Sequence, residues 1–183
     1  MMEQAGSACS TGILDDIREI KMKKFAHFLT ILFVLAFLIS PAFSDNVIYN
    51  SFKQKIQDGS IDLDTDTIRV ALVTSAYTPS QDDHEDYADI TNEVVGDGYV
   101  AEGEALANKS VTKDNTDNEG VFDADDITWA ASTITARGAI IYMDSGTANT
   151  SWFIAYIDFG SDKSSSSGDF TITWNSEGII LIQ

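Results

Sequence analysis

Between Thr67 and Ile182 the chain is cut into short runs that are either alternating or continuously apolar. The runs fall at Thr67–Ser75, Asp89–Val95, Tyr99–Leu106, Lys109–Lys113, Gly120–Phe122, Ile134–Met143, Trp152–Phe159, Asp169–Trp174 and Ile179–Ile182. Turn-forming clusters separate many of them: "GDG" at Gly96–Gly98, "DNTDNEG" at Asp114–Gly120, "DSGTANTS" at Asp144–Ser151 and "GSDKSSSSGD" at Gly160–Asp169. Such residues tolerate positive φ or bond their own backbone, so they end strands and begin turns. About nine short strands punctuated this way predict an all-β fold, an antiparallel β-sandwich or a jelly-roll-like domain. No repeat recurs at a solenoid period of about 20–50 residues.

One helix is expected, ahead of the strands. In "DNVIYNSFKQKIQDG", Asp45 or Asn46 can cap the N-terminus, Ile48, Phe52 and Ile56 make an i, i+4, i+8 stripe, and Gly59 suits the left-handed position after the last turn. A stripe that narrow needs a larger surface to lie on.

Two strands are apolar on both faces. Strict alternation places Phe153, Ala155, Ile157 and Phe159 on one side of Trp152–Phe159, with Trp152, Ile154 and Tyr156 on the other. "ITARGAIIYM" divides likewise into Ile134, Ala136, Ile140 and Tyr142 against Ala139, Ile141 and Met143. One face of each fills a sandwich core. The other needs a cover, either the N-terminal helix or a second subunit, and Ile140, Tyr142, Trp152, Ile154 and Tyr156 are the interface candidates.

The N-terminal part reads differently. Met22-Lys23-Lys24 is basic, Phe25–Ile39 is almost wholly apolar, and Ala42-Phe43-Ser44 has the small-residue spacing of a cleavage site, the three-part layout of a signal peptide. The apolar run is 15 residues long, against the ~20 that a spanning helix needs. The expected organisation is therefore an extension at 1–21 upstream of a start at Met22, a signal-peptide-like segment at 22–44, and one β-sandwich domain at 45–183. Cleavage after Ser44 leaves no stable membrane association.

Removing residues 1–44 from 183 leaves 139, and the single cysteine, Cys9, goes with the removed part. The removed part carries four acidic and four basic residues of the chain's 29 and 11, so 25 against 7 remain and the whole −18 lies in the domain. That surface repels phosphate backbones, so no nucleic acid is expected as a partner.

Aspartates at Asp62, Asp64 and Asp66 repeat at every second position, and "VFDADDITW" adds Asp123, Asp125 and Asp126. An EF-hand counted from Asp62 fails at position 6, which is Thr67, and at position 12, which is Val73. What remains is either a pair of loops gathering oxygen ligands for a structural calcium ion or carboxylates pairing with nearby backbone N–H groups. No other cofactor is expected.

Catalytic signatures are absent from 45–183. That stretch has one histidine, His84, and no cysteine, so thiol and zinc chemistry have no residue set; a triad through His84 has no G-x-S-x-G elbow to present its serine, paired carboxylates of a glycosidase are left open by the many acids, and the expectation is a protein that is not an enzyme. Trp129, Trp152, Trp174, Tyr77, Tyr87 and Tyr99 are no more than a sandwich core of this size absorbs.

Taken together, "YNSFKQKIQDGSIDLDTDTIRVALVTSAYTP", "GDGYVAEGEALANKSVT", "VFDADDITWAASTITARGAIIYMDSG" and "FIAYIDFGSDKSSSSGDFTITWNSEGIILI" resemble a group of small virion structural proteins of tailed bacteriophages, from about Asn46 to the C-terminus. The resemblance implies a β-rich sandwich behind a short helix. It also implies a non-enzymatic component of the phage head or tail, such as a decoration protein, whose partners are itself or other particle proteins. It carries no catalytic residues. The leader departs from that group, so the expected location is the virion, or a secreted or periplasmic site if the leader functions. The alternative is an exported β-sandwich binding module with acidic, calcium-binding loops.

Overall fold

β-Branched and aliphatic side chains fill the run that becomes β2 (Ile68–Val73), and five of its six residues are buried. It pairs residue for residue with β7 (Thr135–Met143), from Ile68 opposite Met143 to Val73 opposite Gly138. β7 in turn pairs with β8 (Phe153–Ser164). With β1 (Val47–Ile48) and β3 (Glu104–Ala105) at the edges, the antiparallel order is β1-β8-β7-β2-β3. The computed structural model describes residues 46–183; the expectations for 1–21, 22–44 and Asp45 lie outside the described residues.

Two smaller sheets complete the architecture. β4 (Ser110–Asp114), β5 (Glu119–Asp123) and β10 (Ile180–Ile182) form one in the order β10-β5-β4, and β6 (Ile127–Ser132) pairs with β9 (Gly168–Ile172) in the other. One core joins all three: Val70, Leu72, Ala139 and Ile141 from the large sheet meet Phe122 and Ile180 from the second and Trp129, Phe170 and Ile172 from the third. The fold is all-β and sandwich-like, with ten strands among the described residues where about nine were expected.

The helix is shorter than its stripe predicts. α1 spans Asn50–Gln57, and Val47 and Ile48 pair as a strand with Tyr156 and Ala155 instead of starting it. A free edge of β8 is available to those residues, and ladder bonds there outweigh one more helical turn. Gly59, at φ +75°, takes the expected left-handed position. No helix among the described residues is long and apolar enough to cross a membrane.

Strict alternation fails at two bulges. Ala136 lies opposite Lys163 but Gly138 opposite Asp158, so residues 159–162 of β8 face Arg137 alone. A second shift, between Ile141 and Tyr142, skips Ile154. Ala136 and Ile140 share parity, yet the first belongs to the main core and the second to a separate cluster on the opposite face.

That opposite face is covered by another part of the chain, not by the helix. Phe52 of α1 sits in the main core, while Tyr77, Tyr87 and Ile90 of the connection between β2 and β3 lie over Ile140, Tyr142, Phe153 and Tyr156. Ile140, Tyr142 and Tyr156 are thus buried beneath the chain's own cover and Ile154 in the main core, all at 4% exposure or less, which corrects their expected place on an interface. Trp152 is half-buried, with the Lys55 ammonium 4.4 Å above its ring.

The strands expected at Asp89–Val95 and Tyr99–Leu106 reduce to a single bridge, Val73 to Glu93, and to β3. Side chains take the ladder's place along this edge of β2: the Leu72 N–H donates to the Tyr99 hydroxyl at 2.9 Å. Gly103 is pressed on β2 so closely that a Cβ would stand 1.9 Å from the Val70 carbonyl oxygen, and its φ is +65°; only glycine fits there.

Candidate functional site

The most organised polar chemistry in the described residues lies on the covered face of the large sheet. All six tyrosines of the chain are buried or half-buried, and five of them pack there: Tyr49, Tyr77, Tyr87, Tyr142 and Tyr156. Their rings touch in tilted pairs, with Tyr87 on Tyr142 at 4.9 Å and Tyr77 on Tyr156 at 5.7 Å.

Two hydrogen-bonded groups run through this layer. In the first, the hydroxyls of Tyr49 and Tyr77 are 2.9 Å apart, and that of Tyr77 lies 2.8 Å from His84 Nδ1. In the second, the Glu93 carboxylate accepts from Tyr87 at 2.6 Å, from Tyr99 at 2.7 Å and from the Glu102 N–H at 2.8 Å. The Tyr142 hydroxyl and the Arg69 guanidinium then donate to the Glu102 carbonyl.

Burial raises the pKa of every tyrosine, since a phenolate there would lose its water. Tyr77 is pushed to about 12. Phenols held neutral in this way serve as hydrogen-bond donors rather than as nucleophiles or bases.

The acidic candidates spend their oxygens on their own loops. Asp62 Oδ1 accepts from the N–H groups of Asp64 and Thr65, and Asp66 Oδ2 from that of Asp62. The side-chain bond with Thr65, followed by the two backbone bonds, holds the Asp62 carboxyl below its ordinary range. Asp125 accepts from the Asn108 amide and Asp126 from the Trp174 N–H, tying the β5–β6 turn to its surroundings. Among the described residues no three histidine, cysteine or acidic side chains converge on one point, so Asp62, Asp64, Asp66, Asp123, Asp125 and Asp126 are not brought together.

The described surface also carries depressions, a small one of about 120 Å³ beside Tyr87, Tyr142, Asp144 and Ser151 and two wider ones. A groove of about 470 Å³ lies between the bulged end of β8 and β9, walled by Phe159, Lys163, Ser164, Asp169, Phe170 and Ile172. The bulge at residues 159–162 lies at its edge, where the Arg137–Asp158 ion pair, 2.7 Å, pins the strand just before it leaves β7. A polar trough of about 500 Å³ lies on the small sheet, lined by Ser110, Thr112, Asp114, Asp123, Ser176 and Glu177. Sequence reasoning located none of Glu93, His84's partners or the β8 bulge, because each depends on a pairing across a loop or between strands. The strongest available signal was the spacing of Tyr87, Glu93 and Tyr99, six residues apart on either side.

The geometry defines a class: an acidic, all-β, sandwich-like domain with one large sheet whose central strands are buried on both faces and two smaller, more open sheets. Comparison with protein-family models, with curated proteins and with solved structures finds no match.

Proposed function

We propose that this chain is a non-enzymatic structural protein that works by protein–protein association, in the setting the phage resemblance implies: a head- or tail-associated component of a virion. The observation that carries this reading is the small sheet β10-β5-β4. Both of its outer strands have an unpaired edge, and it holds Val111, Leu181 and Ile182, three of the five large apolar side chains that stand exposed among the described residues. An open strand edge with apolar residues beside it is a template for another chain. The buried, neutral tyrosines and the turn-capping aspartates fit a scaffold better than a reaction centre.

Size-exclusion chromatography with light scattering, on the purified protein alone and with purified phage heads or tails, tests this reading. Self-association or co-elution is expected, weakened roughly tenfold or more by Val111→Lys with Ile182→Lys, as loss of interface anchors does. A strict monomer that binds no particle sinks it.

A second reading, an exported module holding a glycan or other polar ligand with help from calcium, is favoured by the trough beside Asp114, Asp123 and Glu177. It places the protein in the periplasm or outside the cell. Calcium should then raise the melting temperature relative to a chelator. Identical melts in the two conditions remove its support.

A further inference from the structure

The connection that covers the tyrosine face is fastened through a hydrogen-bond chain whose direction is set by a titratable ring. Tyr49 is wholly buried on the sheet, Tyr77 is 4% exposed on the cover, and His84 is half-buried at the cover's rim. His84 is the only histidine among the described residues. Its Nδ1 faces two donors, the Tyr77 hydroxyl at 2.8 Å and the Ser80 N–H at 3.5 Å.

Each phenol has one proton to give. With Nδ1 unprotonated, Tyr77 donates to the ring, Tyr49 donates to Tyr77, and every proton in the chain has an acceptor. With Nδ1 protonated, the ring donates to the Tyr77 oxygen and the Tyr77 proton turns to Tyr49. The Tyr49 O–H then loses the acceptor it has in Tyr77, and the Ser80 N–H loses its own. A buried donor left unsatisfied costs the free energy of its lost solvation.

We propose that His84 is an acid-released latch: its protonation inverts the Tyr49–Tyr77–His84 chain and loosens residues 75–86 from the sheet. Charged groups surround it. Its own segment carries Asp82, Asp83, Glu85, Asp86 and Asp89; Asp83 takes the Ser80 hydroxyl, and Asp82 takes the Asn50 amide of α1, which Lys53 also contacts. From the sheet, β8 presents Tyr156 against Tyr77. The other fastenings of the segment, Phe153 N–H to the Glu85 carbonyl, Tyr87 N–H to the Ser151 carbonyl, Asn50 N–H to the Gln81 carbonyl, the Gln81 amide to the Ile48 carbonyl and the Asn92 amide to the Ala76 carbonyl, do not involve the imidazole.

Native-state hydrogen exchange read by mass spectrometry on the full chain tests the latch. From about pH 7.5 to about pH 5.5, across the ordinary imidazole range, protection of peptides within 75–86 should fall relative to those of β7. About tenfold is the order set by one unsatisfied buried donor, after correction for intrinsic rates. His84→Gln supplies an acceptor to Tyr77 at either pH and should hold its protection constant. Tyr77→Phe cuts the chain and should show equally low protection at both. A wild-type ratio that stays flat or rises in acid overturns the latch, and so does a fall of the same size in either variant. Should His84→Gln fail to fold, the wild type and Tyr77→Phe still decide.

Discussion

The large sheet and the small sheet β10-β5-β4 both carry aliphatic strand residues, and the fold treats those residues oppositely. In the large sheet β2, β7 and the first part of β8 bury both faces, and the outer edge of β2 is closed by β3, the Glu93 bridge and the Tyr99 hydroxyl. In the small sheet Phe122 and Ile180 are buried, but Val111, Leu181 and Ile182 are about half exposed and, among the described residues, no strand pairs with either outer edge. Apolar strand residues thus stabilise the chain only where a second layer reaches them. Elsewhere the same residues are free for a neighbour.

Core truncation should break the symmetry between the sheets most clearly. Phe153→Ala, at a wholly buried position on the tyrosine face, should cost about 3–5 kcal/mol, and Leu72→Ala in the main core about 2–5 kcal/mol, in denaturant melts. If either costs no more than a surface change, the large sheet is not the doubly buried layer described.

The next effect is alkaline. Because burial raises all six phenols, their neutral form is favoured by folding; that stability is intact below the ordinary tyrosine value of 10.0 and is lost as pH rises through the higher folded values, about 12 for Tyr77. Tyrosinate absorbance should therefore stay low at pH 10 and rise together with unfolding. Titration of several tyrosines near pH 10 in a folded protein would contradict the buried layer.

Glu93→Gln sharpens the comparison within the large sheet's edge. An amide NH₂ replaces one of the oxygens that Tyr87 and Tyr99 donate to, and a loss of about 1–3 kcal/mol is expected for a donor left without its acceptor. The smallest effects belong to the exposed regions. Leu181→Ala should change stability by no more than about 0.5 kcal/mol. Asp62→Asn should melt with the wild type whether calcium is present or chelated. An Asp62 variant that loses stability only in the presence of calcium would make that turn a metal site.

Much of this fold was legible in the residues. The continuous apolar runs at β2, β7 and β8 announced central strands, and Gly59 announced the end of the helix. β6 was not legible: Ile127 and Trp129 point inward between exposed residues, but the preceding Asp123, Asp125 and Asp126 gave the stretch the look of an acidic loop. The strand expected at Tyr99–Leu106 was over-read, because its alternation is real while the partner edge is taken by a phenol and a two-residue strand. The tyrosine layer was invisible as such, since Tyr49 and Tyr77 are 28 residues apart and meet only when β1 and the cover close on the same face.

By itself, then, the sequence determined where strands and turns lie and the acidic charge of the chain, because those follow from local backbone preference, side-chain period and composition. Only the tertiary structure decided which face each residue occupies. A bulge reverses every side chain beyond it, and whether one forms at Arg137 or Ile154 depends on the pairing of distant strands. The same long-range packing brought Tyr77, His84 and Glu93 over the sheet and sealed the face that sequence had left open.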